Sequence, residues 1–235
     1  MTARRLASLT FTEYRGAPPE VLIVPLGATE QHGPHLSLGT DTILATCLAD
    51  ALAARLASAV AAPALPYGSS GEHAGFDGTL SIGQDALEEL LVELIRSSPD
   101  SLGLRVLVSG HGGNAEPARR AATRCCAEGR RTLAWFPRVQ GGDAHAGRTE
   151  TSLMLAIAPQ TVRTERAEPG DGRPLSEMID ELRAGGVAAV ATNGVLGDPA
   201  GASPAEGRRL FDLLVDDLVA AVNGALDEAL RSDDG

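Results

Sequence analysis

The chain has 235 residues and a formal net charge of −11, and all 20 of its basic residues are arginine. So acidic a chain is a poor partner for nucleic acid, because contact with phosphates needs a basic surface, and the lack of lysine excludes Schiff-base chemistry. The three cysteines form no CxxC pair, and no apolar run is long enough to cross a membrane. We therefore expect a cytoplasmic protein with reduced thiols, no signal peptide and no membrane span.

Apolar runs bounded by glycine or proline recur along the chain and predict buried strands. They cover residues 21–27, 60–68, 105–113 and 132–137. A further stretch, 186–194, is also consistent with a strand. The runs are almost continuously apolar, which is typical of parallel sheets covered on both faces.

Helical patterns fill the gaps between these runs. One is predicted over 42–58, and a second begins at the capping-box pair Asp85 and Glu88. A third is predicted from a cap at Asn114 to about residue 128, and a fourth begins at Ser203. No linker divides the chain, so we predict one domain (1–235, core about 6–230) of α/β class with a mainly parallel sheet.

All five histidines fall in four loops that follow the predicted strands. The loops are EQHGPHLSLGTD (30–41), SSGEHAGFDGT (69–79), HGGN (111–114) and DAHAGRTETS (143–152). Ligands of parallel α/β sheets bind beyond the carboxyl ends of the strands. We therefore expect these four loops to meet at one rim of the sheet.

Histidine and carboxylate together suit a divalent metal such as Zn²⁺, Mn²⁺ or Fe²⁺. Glu30 and His32 are two residues apart and would point the same way in an extended segment. Asp41 lies where the next helix begins, and His111 stands among glycines that allow close packing. The loops supply three carboxylates and two or three histidines in all, more than one tetrahedral zinc needs, which indicates two metal ions.

Two of the four loops leave alternatives open. Glu72 and His73 could merely shape their loop, or they could orient a ligand or a substrate. Glu150 is equally compatible with a metal ligand and with an acid in the first turn of a helix, where the helix dipole favours negative charge.

The segments LGATEQHGPHLSLGTD, SSGEHAGFDGTLSIG, SGHGGN and HAGRTETSLML together resemble the creatininase family of metal-dependent amide hydrolases. The resemblance implies a layered α/β sandwich, in which the parallel sheet is flanked by helices. It also implies two divalent ions per chain (Zn²⁺, Fe²⁺ or both, with Mn²⁺ as a further option). The implied ligands are Glu30, His32, Asp41, His111 and Glu150, with Asp41 bridging.

This chain departs from the family pattern at one position. Creatininase carries a ligand glutamate two residues after the histidine that corresponds to His111, and this chain has Gly113 there. The resemblance implies that Glu150 takes over that role.

The remaining roles complete the predicted site. We assign His145 to catalysis, because a histidine can protonate a leaving amine near neutral pH. We also assign Glu72 to catalysis, where it could orient the substrate or polarise a ligand. We expect His35, His73 and Asn114 to support the ligands or the substrate.

Further segments, VRTER, GGVAAVATNGVLGDP and AEGRRLF, are similar to a peptidase subgroup of the family that matures a redox cofactor. The resemblance implies a peptide substrate, namely a ribosomally made precursor from which a modified C-terminal Val-Tyr dipeptide is released. It also implies a homo-oligomer, a hexamer or a related ring. Two alternatives stay open: an amidohydrolase acting on a small cyclic amide or a formamide, and a metal-binding scaffold without activity.

Overall fold

Four parallel strands form the central sheet of the computed structural model, which describes residues 2–233 and the side chains of residues 2–228. The strands are β1 (Val21–Leu26), β2 (Ala59–Ala61), β3 (Leu104–Ser109) and β4 (Thr132–Trp135), in the spatial order β2-β1-β3-β4. The two central strands are buried along their whole length and pair from Val21 opposite Leu104 to Leu26 opposite Ser109. For these two strands, the apolar runs correctly predicted a sheet that is covered on both faces.

Helices cover both faces of this sheet. They are α1 (Phe11–Gly16), α2 (Thr40–Arg55), α3 (Gln84–Ser97), α4 (Ala115–Ala127), α5 (Arg148–Ile157), α6 (Leu175–Val190) and α7 (Pro204–Asp233). On one face Val21 and Ile23 pack against side chains of α2, α5 and α7. On the other face Leu22 and Val24 pack against α3 and α4. The predicted layered α/β sandwich is confirmed.

The prediction of a fifth strand at 186–194 is wrong. Most of this stretch is the last part of α6, which bends at Gly186, where φ is +68°. The run is rich in alanine, and alanine has the highest intrinsic helix propensity. An apolar run without polar alternation cannot by itself distinguish a strand from a buried helix.

The second predicted strand is much shorter than expected. Only Ala59–Ala61 pair regularly with β1, and the chain then meets Leu26 through an isolated bridge at Leu65. Pro63 and Pro66 interrupt the ladder because proline has no N–H to donate.

Two predicted helix caps are wrong and one is confirmed. No side-chain bond caps α3, and the Glu88 carboxylate instead accepts a bond from Arg120 Nε at 2.5 Å. Asn114 precedes α4 without capping it, because its amide is bound elsewhere. At α7, Ser203 Oγ accepts the N–H of Glu206 at 3.3 Å, as predicted.

The strands all run the same way, so their carboxyl ends share one edge of the sheet. The loops after β1 and β3 lie at the centre of this edge, flanked by those after β2 and β4. In residues 2–233, no helix is both long enough and apolar enough to span a membrane.

Candidate metal centre

Side chains from the predicted loops converge beyond the carboxyl ends of β1 and β3. Asp41 stands between two histidines, with Oδ1 3.2 Å from His32 Nε2 and Oδ2 3.4 Å from His111 Nδ1. Glu30 lies on the far side of His111, with Oε2 3.2 Å from its Nε2. The structure thus brings together four side chains that were singled out from two separate stretches of sequence, 30–41 and 111–114.

Two overlapping groups in this cluster have the geometry to hold a metal ion. One is Glu30, Asp41 and His111, the other is His32, Asp41 and Glu150, and within each group the candidate ligand atoms lie within 4.8 Å of one another. Asp41 belongs to both groups. A third group, Glu30, His32 and His145, meets the same criterion, so His145 lies at the edge of the cluster.

Close backbone contact places Asp41 in the first turn of α2. Gly110, at the end of β3, packs against this turn so tightly that a Cβ atom there would stand 2.2 Å from the Asp41 carbonyl oxygen. The N–H of Gly110 also donates to Leu26 O at 2.8 Å. The glycine before His111 therefore holds the two central loops against the start of α2.

The carboxylates of the cluster lack ordinary hydrogen-bond partners. Both oxygens of Glu30 and Oδ2 of Asp41 are buried without a hydrogen bond of good geometry. Leaving a buried charged group without partners is costly. A divalent cation would satisfy these oxygens, so the donor set fits a metal ion.

The electrostatics of the cluster reflect this crowding. Burial would raise the pKa of Glu30, but the close contact and charge of His111, helped by nearby histidines, hold it well below the usual range. Burial raises the pKa of Asp41 to about 6, despite the opposing effect of His32.

The two histidines that contact Asp41 hold their protons strongly. Burial lowers the pKa of His32, but the charge and hydrogen bond of Asp41 outweigh it and raise the pKa to about 10. Burial likewise opposes protonation of His111, and its contacts with Glu30 and Asp41 raise its pKa to about 10. A metal ion that binds here must displace these protons.

The other two histidines of the cluster behave in the opposite way. Burial, with the nearby His32, lowers the pKa of His145 to about 4, and burial together with His145 lowers that of His73 to about 3. The His145 ring lies 4.4 Å from the ring of His32 and 4.5 Å from that of His73, centroid to centroid. Both rings are therefore neutral bases near pH 7.

The position of Glu150 is compatible with both roles considered for it, a metal ligand and an acid in the first turn of a helix. It lies in the first turn of α5 and accepts the N–H of Ala146 through Oε2 at 2.6 Å. A carboxylate oxygen of Glu150 also lies within 4.8 Å of candidate ligand atoms of His32 and Asp41. One carboxylate can both close the helix start and offer an oxygen to a cation.

The side chains predicted to support the site contact its loops. Asn114 accepts the N–H of Ser69 at 2.9 Å and donates to Gly27 O at 3.0 Å, so it ties the loops after β2 and β1 together. His35 is fully buried and bonds Thr151 Oγ1 at 2.9 Å, away from the cluster. It therefore anchors the first loop to α5.

Glu72 lies at the solvent side of the cluster. Its Oε1 is 3.5 Å from His111 Nε2, and 36% of its side chain is exposed. Burial raises the pKa of this carboxyl, against the opposing charge of His111. Glu72 is the acid of the cluster that combines contact with a candidate ligand and access to solvent.

Two features of the site were missed in the sequence. Gln31 bonds both His73 and His145, and the loop 193–197 closes over Gln31. Alternation in an extended segment would turn Gln31 away from Glu30 and His32. No local signal indicated that histidines from two other loops would meet it there.

A cavity of about 710 Å³ opens beside the cluster. One wall carries Glu72, His73, His111 and His145. Apolar side chains of α6, namely Ile179, Leu182 and Val187, line the same cavity. A few polar groups among apolar side chains are typical of sites for organic ligands.

Comparison with known proteins agrees with this arrangement. The creatininase family model, described as creatinine amidohydrolase, matches residues 7–222, and the chain therefore belongs to the creatininase family of metal-dependent amide hydrolases. The family predicted from the motifs is confirmed.

Among individual relatives, the chain is similar to the mycofactocin precursor peptide peptidase of Mycobacterium tuberculosis (strain ATCC 25618 / H37Rv). The two are 48% identical over 227 residues, which cover 92% of this chain and 90% of the relative. The predicted resemblance to the peptidase subgroup is thereby confirmed.

Solved structures agree on the fold. A crystal structure of creatinine amidohydrolase (creatininase) superposes with a TM-score of 0.81 at 25% identity, covering 95% of this chain and 98% of that one. A manganese form of creatininase superposes with a TM-score of 0.79 at 24% identity, covering 95% and 99%.

Proposed function

We propose that the chain is a metal-dependent peptidase that acts, as one domain, on the modified mycofactocin precursor peptide. It hydrolyses an amide bond near the C-terminus and releases the modified Val-Tyr dipeptide, a step in the biosynthesis of a redox cofactor. The substrate rests on the 48% identity to the peptidase of M. tuberculosis. The chemistry rests on two potential ligand groups that share Asp41 beside an open cavity.

The proposed cofactor is a pair of divalent ions, Zn²⁺, Fe²⁺ or both, with Mn²⁺ as a further option. Glu30, Asp41 and His111 would hold one ion, and His32, Asp41 and Glu150 would hold the other. The buried, unpartnered oxygens of Glu30 and Asp41 support this assignment. When bound, such ions supply Lewis-acid activation of water and of the amide carbonyl.

The residues of the chain supply the proton transfers. His145 lines the cavity and is neutral near pH 7, so it can take a proton from the attacking water and give it to the leaving amine. Glu72 reaches the same cavity and would help to orient the water or the substrate amide. Burial of the cluster strengthens each of these interactions.

The walls of the cavity favour a peptide over a very small substrate. The apolar side of α6 offers contact area for bulky side chains next to the cut bond, such as those of valine and tyrosine. Arg119 and Arg183 line the same cavity and can face polar groups along the peptide. A small cyclic amide would leave most of the 710 Å³ filled with water.

A creatininase-like activity on a small cyclic amide or a formamide is the second candidate function. It is favoured by the family description, creatinine amidohydrolase. We further propose a cytoplasmic homo-oligomer, a hexamer or a related ring, and no role with nucleic acid. The net charge of −11 supports the last point.

The test is mass spectrometry after incubation of metal-loaded protein with modified precursor peptide, unmodified peptide and creatinine. Release of the modified dipeptide is expected, and turnover of creatinine alone would overturn the peptidase proposal. Asp41→Asn should abolish turnover. Asp212→Asn, a matched change at an exposed position of α7, should leave it intact.

A further inference from the structure

Gln31 lies between two candidate ligands, but its side chain contacts two histidines outside the proposed ligand set, His73 and His145. We propose that Gln31 is a positioning residue that fixes the proton of each ring on Nε2, and thereby makes Nδ1 of His145 the atom that exchanges protons with the substrate. The role of Nδ1 rests on the proposed function. The tautomers themselves rest only on contacts within the chain.

The orientation of the Gln31 amide follows from two backbone groups. Its Oε1 lies 2.8 Å from the N–H of Gly33, which can only donate. Its Nε2 lies 3.1 Å from the carbonyl oxygen of Gly194, which can only accept. Oxygen and nitrogen of the amide are therefore assigned by their partners, and Nε2 is a donor.

This orientation sets the tautomer of His73. The Gln31 Nε2 atom lies 2.8 Å from His73 Nδ1, and because an amide nitrogen only donates, Nδ1 must accept. The proton of the neutral ring is then on Nε2. That atom lies 3.1 Å from Glu30 Oε1, in contact with the candidate ligand but without the geometry of a hydrogen bond. A histidine held in this way orients the carboxylate beside it.

The backbone of the same residue sets the tautomer of His145. The Gln31 carbonyl oxygen lies 2.9 Å from His145 Nε2, and because a carbonyl only accepts, Nε2 must carry the proton. The two amide hydrogens of Gln31 are already directed to Gly194 and His73. The amide nitrogen itself lies 3.2 Å from His145 Nε2.

The remaining nitrogen of His145 is the chemically free one. Within residues 2–228, no hydrogen-bond partner is found for Nδ1, and the ring lines the cavity. Its lone pair is available for a proton from water, which the ring can then pass to the leaving amine. Because the proton of the neutral ring is held on Nε2, Nδ1 is the nitrogen that exchanges protons with the substrate.

The loop after α6 holds this arrangement in place. Gly194 has a φ of +78°, and a Cβ atom there would stand 1.8 Å from Gln31 Oε1, so only glycine allows this approach. Two residues later, Leu196 N donates to His145 O at 2.9 Å and Leu196 O accepts from His145 N at 3.2 Å. One loop therefore positions both Gln31 and the histidine that its carbonyl binds.

The experiment is NMR of the zinc-loaded, ¹⁵N-histidine-labelled protein, because ring ¹⁵N shifts report which nitrogen carries the proton. The parent protein should show Nε2–H for both His73 and His145. Gln31→Glu keeps the acceptor for Gly33 but removes both donors, so the proton of His73 should move to Nδ1, while His145 stays Nε2–H because its partner is backbone. Retention of Nε2–H at His73 in Gln31→Glu would overturn the proposal.

Two further variants separate this effect from damage to the fold. Gln84→Glu places the same charge on the wall of the same cavity, at a glutamine without a hydrogen-bond partner in the described part of the chain, and should leave both tautomers as in the parent. If Gln31→Glu does not fold, Gln31→Met removes the side-chain bonds without adding charge. His73 should then show a mixture of tautomers, and a pure Nε2–H form would overturn the proposal.

Kinetics separate this proposal from the proposed function. If the peptide is the substrate, Gln31→Glu should lower kcat about 10- to 100-fold, as loss of an outer contact to a metal site does, with KM changed less than about threefold. If the peptide is not turned over but the tautomers are as stated, the proposed function fails and the positioning role stands. Since only the tautomer of His73 changes in this variant, an unchanged kcat would overturn the part that Gln31 plays in catalysis through His73.

Discussion

Glu72 occupies the space that a side chain at position 113 would need. A Cβ atom on Gly113 would stand 2.5 Å from Glu72 Oε1, 2.4 Å from His111 Nε2 and 2.2 Å from the carbonyl oxygen of Ser69. The glycine at this position, where creatininase carries a glutamate, is therefore matched by the position of Glu72. With no side chain at 113, the carboxylate of Glu72, from the loop after β2, can reach His111.

Gly113→Ala should consequently damage the site although it adds only one methyl group. The Cβ must displace a backbone carbonyl and His111, so we expect loss of bound metal and at least a tenfold fall in kcat/KM. Gly112→Ala is the matched control, because no atom lies within 4 Å of a Cβ at position 112. Elemental analysis and peptide turnover of the two variants check this, and equal behaviour would contradict the close packing at 113.

The shared position of Asp41 predicts how metal is lost on mutation. Asp41→Asn should remove both ions, because Asp41 belongs to both groups, whereas Glu150→Gln should remove only the ion that Glu150 shares with His32. A glutamine at 150 can still accept the N–H of Ala146 through its amide oxygen, so the start of α5 is preserved. Elemental analysis of the purified variants gives the stoichiometry. Two ions retained in Glu150→Gln would assign Glu150 to the helix start alone.

Metal uptake should release protons and strengthen as pH rises. In the metal-free chain the pKa of His32 and that of His111 are both raised to about 10, so each ring is protonated at pH 7 and must lose a proton before it can bind a cation. Lowering the pH therefore weakens binding. Calorimetry at pH 7 in two buffers of different ionisation enthalpy should show about two protons released per chain. Heats that do not depend on the buffer would contradict this.

The fold could largely be predicted from the sequence because its strands are local apolar runs. β1 and β3 are continuous runs buried on both faces, and pattern alone identifies them. The prediction for 186–194 failed because an apolar run without polar alternation does not by itself distinguish a strand from a helix, and its alanines favour the helix that forms. The missed α6 is also the element that forms the apolar wall of the cavity.

Residue type made the candidate ligands of the site visible in the sequence. Glu30, His32, Asp41 and His111 stand out because metal chemistry restricts residue type. The role of Gln31 depends on rings and a carbonyl that come from three distant segments, and a lone glutamine carries no chemical signature. Asn114 was expected at a helix end, but bonds to two neighbouring loops satisfy its amide instead.

That bridging role predicts a stability effect at Asn114 that a helix cap would not explain. Asn114→Ala leaves the N–H of Ser69 and the carbonyl of Gly27 without these partners, and each buried unsatisfied group costs about 1–3 kcal/mol. We expect the free energy of unfolding to fall by roughly 2–4 kcal/mol, above the roughly 1 kcal/mol typical of a lost cap. Asn223→Ala, at an exposed position of α7, should change it by less than about 0.5 kcal/mol. Urea unfolding of both variants measures the difference, and similar values for the two would show that the loops do not depend on the Asn114 amide.

The apolar wall on α6 gives the last prediction, which concerns the substrate. Ile179 and Leu182 line the cavity and are not among the candidate ligands. Ile179→Asp should therefore raise KM for the modified peptide about tenfold or more, because a carboxylate replaces apolar contact area, while the number of bound ions stays unchanged. Leu213→Asp, at an exposed leucine of α7 outside this cavity, is the matched control and should leave KM unaltered. A fall in kcat at constant KM would instead mean that α6 supports the catalytic side chains and not the peptide.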